Sequence, residues 1–407
     1  MARPSNREPA YDVVLYGATG FVGRQTVAYF ARHARGVRWA LGGRSADKLD
    51  AVKRACGAGA ERAGIVVADA QDVQALEALA QNTKVVLSTA GPFAVFGSAL
   101  VAACVKHGTH YVDITGETPW VRSLIEQHHQ QAERDGTRII PCCGFDSVPS
   151  DLGSWLVTQA VRHKYAEACA SVKACFSLRG GFNGGTLASA LNMLDSGQQR
   201  ALADPFLLNP PGERPRLDAA HADPIAPHHD ADFEAWLGPF FMGPVNTRVV
   251  RRSAALLGYG PGFHYQEYQR FGAGAAAALM AAGFSLGMGA TQTAMLLSPV
   301  RKLVKSVAPQ PGQGPSEHSM DNGSFRCDLI GHSLGGQVVR ARVADQGDPG
   351  NRATTKFVCE AALALVHDLA ELPGGPARGG VLTPASGLGD VLARRLRAAG
   401  MTVEVSS

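Results

Sequence analysis

From Tyr11 to about Leu156, short β-branched runs alternate with segments whose apolar residues recur every three or four positions. The runs Asp12–Tyr16, Val37–Leu41, Ile65–Ala68, Val85–Thr89, His110–Ile114 and Arg138–Pro141 read as strands. Between them, Phe21–Ala34, Ala46–Ala55, Val73–Ala80, Ser98–Lys106 and Pro119–Arg134 have helical periodicity. Gly36, Gly57, Gly108 and Gly136 each follow a helical stretch, where a left-handed cap is wanted. Strict alternation of this kind predicts βαβ units, and hence an α/β fold with a doubly wound parallel sheet.

After a predicted helix at Val148–Arg162 the rhythm changes. Ser171–Leu178, Phe325–Ile330, Gln337–Val343 and Thr402–Val405 read as strands, while Thr186–Leu194, Thr354–Leu369 and Ser386–Ala399 read as helices. Asp204–Asp232 reads as a loop and Gly374–Gly380 as a hinge. Without alternation, the second domain is expected to be α+β. The expected division is a disordered tail at 1–10, a Rossmann-type domain at 11–150, an α+β substrate or dimerisation domain at 151–380, and a helix and strand at 381–407 that return to the body.

Composition narrows the function class. Of 407 residues, 45% are hydrophobic and 18% charged, against about 25% charged in an average protein, so much of the chain should sit against something apolar: its own core, a ligand, a subunit or a membrane. The net charge of +4 is small and dispersed, which argues against a nucleic-acid partner. The eight cysteines contain no C-x-x-C pair, and the amino terminus lacks an apolar signal core. Both features fit a reducing, cytoplasmic setting.

The strongest chemical signal is the strand Tyr11–Tyr16 running directly into Gly17-Ala18-Thr19-Gly20-Phe21-Val22-Gly23-Arg24. Gly17 suits a tight turn, Gly20 close approach of a pyrophosphate, and Gly23 close packing of helix on strand. Thr19, Phe21 and Val22 complete this turn, whose N–H groups and helix N-terminus would hold phosphates. The second strand ends in Gly42-Gly43-Arg44-Ser45, placing a guanidinium where an NAD site would carry a carboxylate. Arg44 and Ser45 therefore indicate the 2′-phosphate of NADP. Asp69 is expected near the adenine, and Ala90, Gly91 and Pro92 beside the nicotinamide ribose.

On these residues the chain resembles the saccharopine dehydrogenase-like oxidoreductases, specifically the branch that includes the trans-acting enoyl reductases of mycobacterial lipid synthesis. The resemblance covers nearly the whole chain and is carried by Gly17–Arg24, Gly42–Arg44, Ser88–Phe93, Tyr111–Glu117, Gly144–Asp151, Asn183–Thr186, Gly347–Gly350 and Gly380–Ala385. It implies an NADP-binding Rossmann domain, a second domain that completes the cleft and often dimerises, and hydride transfer. The implied substrate is an apolar acyl or polyketide-like enoyl compound. The chain departs from the family pattern at Asn183, where relatives commonly carry a small hydroxyl residue, and at Asn351, where an aromatic is expected. Alternatives are an imine or amino-acid reductase nearer to saccharopine chemistry, and a non-catalytic NADP-binding protein at a membrane.

Reduction of a conjugated alkene needs a proton donor. Asp113 and Glu117 follow the fifth strand and Asp146 the sixth, so each is either an acid on the cofactor edge or a helix cap. Tyr265, with Tyr259 and His264, lies in a Gly/Pro-rich stretch that could reach the cleft or pack in the core. Gly331-His332-Ser333-Leu334-Gly335 matches a hydrolase nucleophile elbow, but the alternating run after it predicts a hairpin instead of the required helix. His221, His228 and His229 with their neighbouring aspartates fit no common zinc spacing, so no metal is expected. Phe271–Val300 has no charged residue and is followed by Arg301, Lys302 and Lys305. The leading reading is burial in the second domain or a homodimer face; an acyl-binding wall and a peripheral membrane contact are the others.

Overall fold

The computed structural model describes residues 8–406 except 182, 216, 308 and 311. Of the expected tail, residues 1–7 lie outside the described residues, and Glu8 pairs with Arg38 at 2.8 Å. The strands are β1 (Tyr11–Tyr16), β2 (Trp39–Gly43), β3 (Gly64–Val67), β4 (Thr83–Ser88), β5 (His110–Asp113), β6 (Arg138–Ile140), β7 (Cys169–Arg179), β8 (His228–Asp230), β9 (Ala235–Pro239), β10 (His264–Gly272), β11 (Ser324–Ser333), β12 (Val338–Gln346), β13 (Gly380–Val381) and β14 (Thr402–Ser406).

The first sheet has the order β3-β2-β1-β4-β5-β6-β13, and every pair in it is parallel. Strand β1 shows why the sheet is buried on both faces. Val13 and Leu15 enter one core with Phe30 and Phe357, while Val14 and Tyr16 enter a second with Leu76, Leu100 and Leu124. Side chains that alternate across a strand thus meet helices on both sides. Strand order reverses between β1 and β4, which opens a crevice at their carboxyl ends.

The second sheet, β14-β12-β11-β7-β10-β9-β8, is mixed, with β7 and β10 parallel and the other pairs antiparallel. The fold is therefore α/β, a Rossmann-type sheet beside an α+β unit. The helix Val148–Tyr165 packs against β7, β11 and β12 and joins the two units. The helix Thr354–His367 lies on β4 and β5 of the first sheet, and its Glu360 accepts from the Tyr29 hydroxyl at 2.7 Å.

Three features differ from the sequence pattern. First, residues 235–272 hold β9, the helix Gly243–Leu257 and β10, where no elements were expected. The helix hides its period because Asn246 to Ser253 are all buried, including Arg248, Arg251 and Arg252. These guanidiniums donate to the carbonyls of Leu202, Pro205 and Leu208, so the loop supplies the missing partners. Second, β8 crosses the stretch read as a loop at 204–232.

Third, the uncharged run is not buried within this chain. It forms the helix Gly274–Met295 and leads into the helix Ser298–Val307. Only Ala277, Ala281 and Ser285 of the first helix are buried, and Leu279 and Leu286 are 75% and 76% exposed. Absence of charge here reflects an apolar surface rather than a core.

Candidate active-site cleft

Glycines shape the start of the site. Gly17 has φ +85°, and a Cβ there would lie 2.8 Å from the Ala90 nitrogen. At Gly23 a Cβ would lie 2.1 Å from the Gly17 carbonyl oxygen, so the helix sits directly on the turn. Gly20 caps the helix Phe21–His33 without any side-chain hydrogen bond, which leaves the first N–H groups free for an anion. Thr19 and Phe21 are half-buried at this turn, and Val22 is buried behind it.

Strand β2 ends beside it. Arg44 is exposed and, among the described residues, makes no hydrogen bond or ion pair. Ser45 caps the helix Ala46–Ala55 through Lys48 N. Asp69 is exposed, and its Oδ1 accepts from Gln71 N at 2.9 Å. Burial first and then the Asp69 carboxylate push the Tyr16 phenol up to about 12, with Arg44 opposing both, so all three groups adjoin one edge.

After β4, Thr89 N donates to the Tyr16 carbonyl at 2.9 Å and stitches the Ala90-Gly91-Pro92 loop to the glycine turn. Glu117 grips the same loop from the other side. Its two carboxylate oxygens accept from Phe93 N at 2.8 Å and Ala94 N at 2.9 Å. Asp113 accepts from Thr115 N and Cys142 N, at 2.9 and 3.0 Å, and so braces the left-handed backbone of Cys142. Burial pushes the Asp113 carboxyl up to about 7, against its backbone hydrogen bonds.

Asp146 differs from both. It follows β6, is partly open, and makes no hydrogen bond or ion pair among the described residues. Burial pushes its carboxyl up to about 6. A Cβ built on Gly116 would lie 3.6 Å from Asp146 Oδ2 and from Met242 Cε, and 4.0 Å from Val245 Cγ1. An unpartnered acid therefore shares a gap with apolar side chains from the second unit.

The opposite wall is the helix Gly184–Asp195. Its Ser189 Oγ comes within 3.5 Å of a Cβ built on Gly91. Asn183 caps this helix and donates to Asn351 Oδ1 at 2.8 Å. Residues 312–315 reach over the glycine turn: Arg24 donates to the Gly312 carbonyl at 3.1 Å, and Gly314 lies against the Phe21 ring. Ser189, Met242, Val245 and this strap had no signal in the sequence, because each reaches the cleft only through the second unit.

Tyr265 lies elsewhere. It is fully buried under the second sheet, and its hydroxyl donates to Glu267 Oε2 at 2.7 Å. Ser333 ends β11, which pairs antiparallel with β12, and its Oγ accepts from Gln337 N. The strand-to-helix context of a nucleophile elbow is missing there. Asp218, His221 and His264 converge within 4.8 Å, with Asp218 capping a short turn and pairing with both imidazoles.

Residues 13–140 match the family model described as the saccharopine dehydrogenase NADP-binding domain. A Mycobacterium tuberculosis relative is 40% identical, covering 97% of each chain. The trans-acting enoyl reductase of Mycobacterium bovis is 37% identical over 98% of each. The chain belongs to the saccharopine dehydrogenase-like oxidoreductases, in their trans-acting enoyl reductase branch. In the solved saccharopine dehydrogenase (L-Glu forming) of Saccharomyces cerevisiae the same fold recurs. The TM-score is 0.54 at 14% identity, covering 97% of this chain and 99% of that one.

As a saccharopine dehydrogenase-like oxidoreductase, the protein uses NADP. Its residues fit that cofactor: the glycine turn leaves no room for side chains, the helix N-terminus is uncapped, and Arg44 is unpaired among the described residues.

Proposed function

We propose that the protein reduces an apolar enoyl substrate with NADPH, and that Asp146 donates the proton that completes the reduction. The observation that carries this reading is a raised, unpartnered carboxyl after β6, beside Gly116, which Met242 and Val245 also approach. The Mycobacterium bovis relative is named an enoyl reductase, which supports the same substrate class.

Bound NADPH supplies a hydride to the carbon β to the carbonyl. The chain's residues handle the rest. Gly17, Thr19, Gly20, Phe21, Val22 and Gly23 would seat the pyrophosphate, Arg44 and Ser45 the 2′-phosphate, and Asp69 the adenosine end. Ala90, Gly91 and Pro92 would line the nicotinamide ribose, held there by Glu117 and Asp113 as positioning residues. Addition at the β carbon leaves an enolate, and the acid form of Asp146, whose share desolvation increases, delivers its proton to the α carbon. Apolar neighbours would serve twice, by receiving an acyl chain and by raising the pKa of that carboxyl.

The test is single-turnover oxidation of NADPH by enoyl thioesters of increasing chain length, in wild type and Asp146→Asn. We expect turnover that improves with chain length, and a loss of about 10²-fold or more in the variant with NADPH affinity retained. Unchanged turnover in Asp146→Asn would remove it as donor; failure to reduce any enoyl thioester would remove the substrate class.

A further inference from the structure

The helix pair formed by Gly274–Met295 and Ser298–Val307 presents a surface that water alone does not explain. A helix on a protein surface normally carries charge on its outer side. Gly274–Met295 carries none on any side, yet most of it is exposed, with Leu279, Met280 and Leu286 more than half open. The chain then turns through exposed Leu296 and Leu297 into a helix of different character. In Ser298–Val307, Val300, Leu303, Val304 and Val307 repeat at helical spacing, while Arg301, Lys302 and Lys305 fall between them. Leu303 and Val307 are 64% and 77% exposed. An apolar seam beside a cationic flank is the pattern of a helix lying in a lipid interface.

We infer that this helix pair docks the protein on an anionic lipid surface. Charge argues for lipid over a second copy of the chain. Residues 271–316 contain three cations and no acid, so a two-fold contact through this patch would set like charges together. Asp195, contributed by the neighbouring helix, binds Arg301 at 2.7 Å and also Lys305, so part of the positive charge is already balanced. Lys302 has no ion pair among the described residues. The geometry also argues for lying on the surface over crossing it. Ala277, Ala281 and Ser285 hold the first helix against β9 and Phe271, and the second helix is tied back to Asp195. Both ends of the pair thus stay on one side of the folded body.

The tie to Asp195 gives the dock a consequence. Asp195 is the last residue of the helix that walls the cleft, so a protein held on lipid through Ser298–Val307 has its cleft wall attached to the docked helix.

Flotation of the full chain with phosphatidylcholine vesicles, with and without phosphatidylglycerol, tests the inference. Binding is expected to the anionic vesicles, and to weaken at high salt. Lys302→Gln should weaken it about fivefold, and Leu303→Asp about 10-fold or more, in proportion to the apolar area withdrawn from the lipid. Both positions are exposed, and NADPH affinity, measured alongside, should stay unchanged. Absence of binding to anionic vesicles would overturn the inference. So would a sedimentation result in which Leu303→Asp dissociates a dimer while vesicle binding persists, because the face would then belong to a second copy.

Discussion

Asn183 and Asn351, 168 positions apart, meet through a buried hydrogen bond from Asn183 Nδ2 to Asn351 Oδ1 at 2.8 Å. Each amide partners the other. Asn183 Oδ1 also caps the cleft-wall helix through Thr186 N, and Asn351 Nδ2 donates in turn to Asp348. The pair therefore fixes that helix to the turn preceding Thr354–His367, which lies on the NADP-binding sheet.

Asn183→Ala removes a cap and strands a buried amide. Destabilisation of roughly 2–4 kcal/mol follows from the two losses together. Asn351→Ala should cost about 1–3 kcal/mol, and the double variant less than the sum. Denaturant titration of the three variants checks this; strict additivity would show that the two amides act independently.

Activity should carry the titration of Asp146. Its carboxyl, raised to about 6, must be protonated to act as the acid. The chemical step is then fastest below about pH 6 and slows as pH rises through that value. Single-turnover rates against pH in wild type check it, with cofactor affinity followed separately. A profile flat from about pH 5 to 8 would count against this assignment.

Arg44→Ala should discriminate between cofactors. Removing a charge-assisted hydrogen bond to the 2′-phosphate corresponds to about 10- to 100-fold weaker NADPH binding, with NADH binding nearly unchanged. Fluorescence titration with both nucleotides reads the ratio directly. Equal weakening for the two would place Arg44 away from the phosphate.

Glu267 predicts an unusual stability profile. It is fully buried, its oxygens accept from Ser150, Asn246 and Tyr265, and burial raises its carboxyl to about 7. A carboxyl with a raised folded pKa favours the folded state most below its unfolded value of about 4.3. That contribution declines as pH rises towards about 7 and is then exhausted. Asp151, also buried and raised to about 7, adds the same sign. In Glu267→Gln the decline between about pH 4.5 and 7 should shrink by on the order of 3 kcal/mol. Urea titrations across that range decide it, since an unaltered slope would mean that Glu267 is ionised throughout.

Much of this architecture was legible in the sequence where physics is local. A glycine that must adopt φ +85°, or must touch a carbonyl, announces itself, and so Gly17 and Gly23 located the cofactor turn. Strand β1 was legible because consecutive apolar residues serve two cores. The helix Gly243–Leu257 was not, because its buried arginines are satisfied by carbonyls some 44 to 46 positions away. Asp113, Glu117 and Asp146 looked alike as carboxylates at strand ends. Backbone N–H groups occupy both oxygens of Glu117 and Oδ1 of Asp113, and among the described residues none bonds Asp146.

The helix Thr354–His367 also sets an order on the birth of the molecule. It covers β4 and β5, and β13 then completes the same sheet at Gly380–Val381. A nascent chain released only as far as β6 leaves one apolar side of β4 and β5 exposed until the chain is nearly finished. Nucleotide binding should consequently arise late in synthesis, making bound NADPH a mark of a complete chain rather than of a folded amino-terminal half.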